Sequence, residues 1–218
     1  MATIDLSHPI TDGMITYPGL PGPTIGAHLT REASRERYAP GYEFHIGTIS
    51  MVGNTGTYLD VPFHRFADGW DLAELAVDAV SALPGVVLDG PSEGPAGLDV
   101  LGSTEVAGRA VLVRTGWSAH FGTERYGDPS QHPYLSTELA EALATGGAAL
   151  VGIDSVNIDG TSTGERPVHT VLLAAGIPIV EHLRGLELLG AVPFTFTAVP
   201  PAVRGLGTFT VRAYATVA

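Results

Sequence analysis

The sequence contains no cysteine among its 218 residues. Disulfide bonds, thiolate nucleophiles and cysteine-type zinc sites are therefore excluded. Basic residues are also scarce, because 11 arginines and lysines stand against 23 acids and give a formal net charge of −12. Such a surface repels phosphate backbones and anionic lipids, so neither a nucleic acid nor a membrane is an expected partner. Any metal has to be held by histidine, carboxylate or amide groups.

Long apolar runs and targeting signals are missing as well. No stretch approaches the roughly 20 apolar residues of a membrane-spanning helix. Residues 1–9 show neither the basic start nor the apolar run of a secretory signal, which predicts a cytoplasmic protein. Apolar residues make up 44% of the chain and charged residues 16%, a globular composition rather than a disordered one. At this length, residues 1–218 are expected to form one domain.

Short apolar runs alternate with helical patterns along the chain. Helices are predicted to begin after Ser136 and at Pro167, and apolar spacing after Asp71 predicts another over 72–80. The polar segment around 120–133, with His120 and His132, is expected to be exposed to solvent. The predicted strands are residues 3–6, 44–51, 85–89, 110–114, 148–154 and 177–181, followed by two β-rich segments at 192–199 and 208–217. This order indicates an α/β fold without internal repeats.

Residues 54–64, Asn-Thr-Gly-Thr-Tyr-Leu-Asp-Val-Pro-Phe-His, concentrate polar side chains in an apolar stretch. Side chains alternate in an extended chain, so Asn54, Tyr58, Asp60 and His64 can share one face of a strand. Pro62 cannot donate to a sheet ladder, so the strand is expected to end near it. Asp60 and His64 would then project where regular pairing stops, which is a suitable place for chemistry.

A second candidate site lies between His169 and Glu181. A helix of about eight residues is roughly 12 Å long, and the strand that follows it covers roughly 13 Å. If the chain reverses at Gly176, the two side chains finish at the same level and can converge on one point. Alternatively, His169 caps its own helix and Glu181 is solvated. Spacing alone leaves both interpretations open.

These two stretches together resemble the cyclase family, whose best-known members are bacterial kynurenine formamidases and isatin hydrolases. The family signature is His-x-Gly-Thr-His-x-Asp-x-Pro-x-His, and residues 54–64 match five of its fixed residues in register. Residues 5–10, 152–154 and 179–181 resemble the family too, so the resemblance covers nearly the whole chain. It implies an α/β fold of the swivelling β/β/α type, a homodimer or larger assembly, and hydrolysis of a small amide or lactam with zinc or manganese.

The resemblance also implies a metal site. Asp60, His169 and Glu181 correspond to the ligands of one metal, and His64 corresponds to the residue that donates and accepts protons. Three ligands and a water are typical of a catalytic zinc site. One divalent cation, zinc or manganese, is therefore expected.

Two positions depart from the family signature. Asn54 and Tyr58 stand where the family has histidines, so the second metal site has lost both imidazoles and a two-metal centre is not expected. Both residues are instead expected to bind substrate through hydrogen bonds. Tyr17, in a loop rich in proline and glycine, and Trp117 are candidate walls of the substrate pocket.

Three functions are compatible with the sequence. The first is hydrolysis of a small-molecule amide, formamide, lactam or lactone by one divalent metal, with His64 as general acid and base. The second is a metal-independent cyclase, dehydratase or isomerase that uses His64 and Tyr58. The third is a catalytically inactive binding protein with the same fold. The retention of an imidazole and acids in an apolar setting favours an enzyme.

Overall fold

The computed structural model describes residues 1–190 and 192–217. Among these residues, no helix has the length and apolar character needed to cross a membrane. The α-helices in these ranges are α1 (Arg31–Ser34), α2 (Thr137–Thr145) and α3 (Pro167–Ala174). The strands in the same ranges are β1 (Ala2–Asp5), β2 (Thr24–Leu29), β3 (Ile46–Ser50), β4 (Tyr58–Asp60), β5 (Leu83–Asp89), β6 (Pro95–Ala96), β7 (Ala110–Arg114), β8 (Tyr134–Leu135), β9 (Leu150–Ile153), β10 (Ile179–Glu181), β11 (Phe194–Thr197), β12 (Thr208–Thr210) and β13 (Tyr214–Val217).

Nine of the described strands form one large mixed sheet with the order β1-β13-β11-β5-β7-β9-β10-β4-β12, and β6 and β8 pair separately. Its centre, β5-β7-β9-β10, is parallel, and the flanking strands pair antiparallel. Val111 and Val113 belong to one hydrophobic cluster together with residues of α2 and α3, whereas Leu112 belongs to a second cluster. Alternate residues of the central strands thus face two cores, which explains why these strands are apolar throughout.

The α/β prediction is confirmed, and most of the predicted elements occur in the structure. Strands β7 and β9 match the predicted segments, and α3 begins at Pro167. Ser136 caps α2, because its hydroxyl accepts a hydrogen bond from the Leu139 N–H at 3.2 Å. The last β-rich segment divides into β12 and β13.

The predicted helix over 72–80 is wrong. The chain forms turns there and one short 3-10 helix, Val77–Ala79. The Leu72 N–H donates to the Leu206 carbonyl, and the Val80 carbonyl accepts from the Ala198 N–H. Because distant segments bind this backbone, an α-helical hydrogen-bond ladder does not form. The apolar spacing reflects the burial of Leu72 and Val80 in the core. Both side chains reach the core from turns, without a helix.

Strands β2 and β3 form a separate antiparallel arm outside the large sheet. Every residue of β3 is exposed, as are all residues of β2 except Leu29. Ile25 pairs directly with Ile49, and these side chains are 46% and 52% exposed. The arm therefore presents apolar side chains that the described parts of the chain leave uncovered.

The expectation that His132 is exposed is wrong. Only 1% of its surface is accessible, and its ring nitrogens lie 3.1 Å from the Pro133 carbonyl and 2.9 Å from Thr161 Oγ1. Both nitrogens thus have partners, which makes the burial of this imidazole possible. His120 is partly exposed and stacks edge-on against Trp117.

Candidate active site

The predicted site residues meet where the parallel strands give way to antiparallel ones. Strand β4 lies between β10 and β12, and its register places Tyr58 opposite Glu181 and Asp60 opposite Thr208. A cavity of about 330 Å³ opens there. It is lined by Tyr17, Leu20, Asn54, Tyr58, His64, Arg65, Asn157, Arg166, His169 and Glu181.

The extended-chain prediction for residues 54–64 is correct only in part. Tyr58 and Asp60 belong to β4, but His64 ends a 3-10 turn that begins at Pro62, and Asn54 lies in a bend before the strand. The strand ends before Pro62, as predicted. Asn54, Tyr58 and His64 nevertheless line the same cavity.

His169 and Glu181 converge, which is the first of the two interpretations that their spacing left open. The chain reverses at Gly176, which has a left-handed φ of 72°. The His169 Nε2 atom lies 3.6 Å from Glu181 Oε1 and 3.7 Å from Asp60 Oδ2. Glu181 is only 1% exposed, so the solvated alternative is wrong.

Asp159 orients the His169 ring. Its carboxylate accepts hydrogen bonds from the backbone N–H groups of Val168 and His169, at 2.7 and 3.0 Å, and so neutralises the start of α3. The same carboxylate lies 2.6 Å from His169 Nδ1. Because Nδ1 donates to Asp159, the opposite nitrogen is aimed at Asp60 and Glu181. The sequence showed this aspartate, but nothing in its spacing assigned it that task.

Thr208 orients the His64 ring. Its hydroxyl donates its single proton to Asp60 Oδ1 and lies 2.7 Å from His64 Nδ1. It can therefore only accept from the imidazole, which places the ring proton on Nδ1 and leaves the Nε2 lone pair free. His64 is the exposed member of the site, with 35% of its side chain accessible. Sequence analysis missed Thr208, which lies 144 residues from His64.

Tyr58 is buried and makes a specific contact rather than facing the cavity freely. Its hydroxyl donates to Glu181 Oε2 at 2.6 Å, while the Ile158 N–H donates to Oε1 at 2.6 Å. Burial, followed by the neighbouring carboxylates, raises the pKa of Tyr58 well above its ordinary value. The phenol therefore stays protonated and acts as a donor. Trp117 does not line this cavity and packs with Tyr126 and Val156.

The buried groups of the site shift one another's pKa values. Burial disfavours the charged imidazole of His169, but the hydrogen bond to Asp159 and the nearby carboxylates of Asp60 and Glu181 outweigh it and raise its pKa to about 10. Burial raises the pKa of Glu181 above its ordinary value. For Asp60, burial is outweighed by His64, His169 and Thr208, which lower its pKa. The site thus attracts positive charge.

The residues fit a bound divalent cation. Asp60 is fully buried, and its Oδ2 atom has no hydrogen-bond partner within the described residues. Ligand atoms about 2.1 Å from one tetrahedral cation lie roughly 3.4 Å apart, close to the separations of 3.6 and 3.7 Å seen around His169 Nε2. Ligand atoms of Asp60, His64 and His169 all lie within 4.8 Å of one another. A carboxylate that orients a ligating histidine, as Asp159 does, is typical of metal sites.

The fold and the site define an α/β protein with a buried histidine–carboxylate cluster at the carboxyl ends of parallel strands. The Cyclase family model, described as "Putative cyclase", matches residues 4–160. The chain therefore belongs to the cyclase family, and the predicted family is confirmed.

Curated relatives of the chain are enzymes named kynurenine formamidase. The protein from Geobacillus thermodenitrificans is 30% identical over 183 residues, which cover 83% of this chain and 81% of the relative. The protein from Bacillus cytotoxicus is 29% identical over 181 residues, with the same coverage of both chains.

Solved structures share the fold over almost the entire chain. Isatin hydrolase A from Ralstonia solanacearum superposes with a TM-score of 0.84 at 21% identity, covering 100% of this chain and 92% of that one. A structure described as a potential metal-dependent hydrolase with cyclase activity gives a TM-score of 0.76 at 22% identity, covering 98% and 96%. At these identities the likeness establishes the fold.

Proposed function

We propose that residues 1–218 form one cyclase-like domain that hydrolyses the C–N bond of a small amide, formamide or lactam, or the ester bond of a lactone. The names of the relatives support this reaction class. The observation that carries the proposal is the unpartnered Oδ2 atom of buried Asp60, which faces His169 Nε2 at 3.7 Å beside His64. An uncompensated buried carboxylate is costly, so a cation is the natural partner for it.

In this proposal Asp60, His169 and Glu181 hold one zinc or manganese ion. When bound, the ion supplies Lewis-acid activation of the water and of the substrate carbonyl. Asp159 keeps the His169 ring in the required tautomer. The two carboxylates balance the charge of a dication.

His64 performs the proton transfers in the proposed reaction. Thr208 fixes the ring so that the free Nε2 lone pair can take a proton from the attacking water. The resulting imidazolium then gives a proton to the leaving nitrogen. Asn54 lines the cavity, and its amide can donate to the substrate carbonyl oxygen, while Tyr17 contributes an aromatic wall.

Metal content tests the proposal directly. Protein purified without chelators should carry about one equivalent of zinc or manganese per chain and should hydrolyse members of a panel of formamides, lactams and lactones. Exhaustive chelation should remove most of this activity, and addition of either ion should restore it. Metal below a tenth of an equivalent, with activity that survives chelation, would contradict the proposal.

A metal-independent cyclase, dehydratase or isomerase is the second candidate. The observation that favours it is the pKa of about 10 for His169, because an imidazolium there can itself balance Asp60 and Glu181. His64 and Tyr58 would then carry the acid and base roles. Activity that persists after chelation and disappears in Tyr58→Phe would support this reaction instead.

We also propose that the protein is a homodimer that buries the arm formed by β2 and β3. The exposed Ile25–Ile49 pair lies on that arm, and apolar pairs of this kind gain stability when a partner removes them from water. A second copy of the chain supplies the same apolar surface, as a two-fold interface requires.

Light scattering after size-exclusion chromatography should therefore give a mass about twice the 22.6 kDa of the chain. Ile49→Glu places a charge in the apolar face and should shift the protein to monomers. Thr48→Glu is the matched control, because neighbouring residues of a strand point to opposite faces. A wild-type protein that is monomeric at tens of micromolar would refute the dimer.

A further inference from the structure

His182 is a buried histidine that the proposed reaction does not use. None of its surface is exposed, and its φ of 57° is a left-handed conformation that residues other than glycine rarely adopt. Its N–H donates to the Ser155 carbonyl at 3.2 Å, and its own carbonyl accepts from Thr57 Oγ1 at 2.6 Å. The surrounding structure thus maintains an unfavourable backbone, which indicates that the imidazole is needed where it lies.

The His182 imidazole bridges two buried tyrosines. The Tyr126 hydroxyl lies 2.8 Å from Nδ1, and the Tyr58 hydroxyl lies 3.2 Å from Nε2. Tyr58 in turn donates to Glu181 Oε2 at 2.6 Å. All four side chains are at most 3% exposed. An unbroken row of hydrogen bonds therefore connects Tyr126 to Glu181.

The number of available protons sets the direction of every bond in this row. The Glu181 carboxylate can only accept, so Tyr58 donates its single proton to it. The Tyr58 oxygen can then only accept from the imidazole, which places the His182 proton on Nε2. A neutral ring with Nε2–H has a bare Nδ1, and that atom accepts the Tyr126 proton. Each group therefore donates or accepts as its neighbours require, and the His182 imidazole adopts a single tautomer.

This row determines how Glu181 is held. Its Oε2 atom is anchored by Tyr58 and its Oε1 atom by the Ile158 N–H, which leaves Oε1 3.6 Å from His169 Nε2. A phenol that rotates away would free one end of the carboxylate. His182 opposes this rotation, because its Nε2–H group donates a hydrogen bond to the Tyr58 oxygen.

We propose that His182 is a positioning residue of the active site: it keeps the Tyr58 hydroxyl on Glu181 and thereby holds Glu181 Oε1 where a divalent cation binds. Tyr126 donates to the bare Nδ1 atom and thereby stabilises the His182 tautomer that this requires. The proposal rests on the proposed function only in taking Glu181 as a cation ligand. Neither His182 nor Tyr126 lines the reaction cavity, so neither is expected to contact substrate.

Zinc titration of metal-free full-length protein tests this role. His182→Phe keeps a planar ring but removes both hydrogen bonds, and it should weaken the zinc Kd by about 10- to 100-fold, as removal of groups that support metal ligands does. Activity with saturating zinc should show a lower kcat with a nearly unchanged KM. Tyr126→Phe removes only the hydroxyl that donates to His182 Nδ1 and should weaken zinc binding by a few-fold.

His132→Phe is the matched control. His132 is equally buried and also has partners at both ring nitrogens, but none of them belongs to the site. The His132→Phe substitution should lower the melting temperature without changing the zinc Kd. If His182→Phe behaves like this control, His182 is merely structural and the proposal is overturned. Should His182→Phe fail to fold, an unchanged zinc Kd in Tyr126→Phe overturns it equally.

Nitrogen-15 NMR of the histidine rings provides a readout without metal or substrate. His182 should show the Nε2–H tautomer in the wild-type protein and in Tyr126→Phe, whereas Tyr58→Phe, which removes the acceptor at Nε2, should admit the Nδ1–H tautomer. A predominant Nδ1–H tautomer in the wild type would overturn the proposal. A wild-type protein that binds no zinc would instead overturn the proposed cation site, and the tautomer would still decide whether His182 orders Tyr58.

Discussion

Replacement of Asp60 by asparagine is expected to remove cation binding while leaving the fold intact. The carbonyl oxygen of the new amide can still accept from the Thr208 hydroxyl, which preserves the neighbouring hydrogen bond. The substitution removes a fully buried charge that faces Glu181, but it also removes the attraction of that charge to His64 and His169. Because these effects oppose each other, the free energy of unfolding of metal-free protein should change by less than about 1 kcal/mol. Zinc affinity and kcat/KM should both fall by at least about 100-fold, because a charged ligand is lost.

Asp154→Asn is the matched control for this experiment. Asp154 is also fully buried, but its carboxylate accepts from the N–H groups of Thr115 and Gly116 and from the Thr115 hydroxyl. An asparagine there would place an NH₂ group against a donor and should cost about 1.5 to 3 kcal/mol of stability. Zinc affinity should be unchanged. If Asp60→Asn instead destabilises the protein and keeps its zinc, Asp60 is a structural carboxylate.

His64→Ala is expected to lower kcat by about 10²- to 10⁴-fold, the usual contribution of general acid–base catalysis. The metal content and the melting temperature should change little, because the side chain is 35% exposed and is not one of the three proposed metal ligands. Steady-state kinetics against the best substrate of the panel measures the effect. His120→Ala removes a partly exposed imidazole outside the cavity and should leave kcat unchanged.

Thr208 provides an internal check on the role of His64. Thr208→Val removes the hydroxyl that accepts from His64 Nδ1 and donates to Asp60, whereas Thr208→Ser retains it. The valine variant should lose part of the activity that His64→Ala loses, and the serine variant should recover it. A His64→Ala enzyme with more than half of the wild-type kcat would rule out the assigned acid–base role.

Sequence pattern predicted the central sheet well, because apolar runs such as 110–114 and 150–153 have few alternatives to burial in a parallel sheet. It was wrong over 72–80 for a physical reason. The spacing of Leu72 and Val80 reports that these side chains are buried, but the Leu72 N–H and the Val80 carbonyl are bonded to residues more than a hundred positions away.

The same limit applies to the site. The spacing of His169, Gly176 and Glu181 made their convergence possible without deciding it, because a helix and a strand of known rise per residue separate them. No such rule relates Thr208 to His64 or His182 to Tyr126. Gly207 illustrates the point, since a Cβ atom there would collide with the backbone nitrogen of His64. Only glycine allows β12 to approach closely enough for Thr208 to reach both Asp60 and His64.

The sequence by itself determined the α/β class and the cyclase family, because apolar patterning and a specific motif are carried by the chain, and its resemblance to the family offered Asp60, His64, His169 and Glu181 as the candidate site. The tertiary structure decided how these side chains are oriented. Strand register placed Thr208 beside Asp60 and Tyr58 beside Glu181, and the loop after β9 brought Asp159 to His169. Tautomers and free lone pairs depend on such contacts between distant residues, since a hydrogen bond is set by position in space and not by separation along the chain.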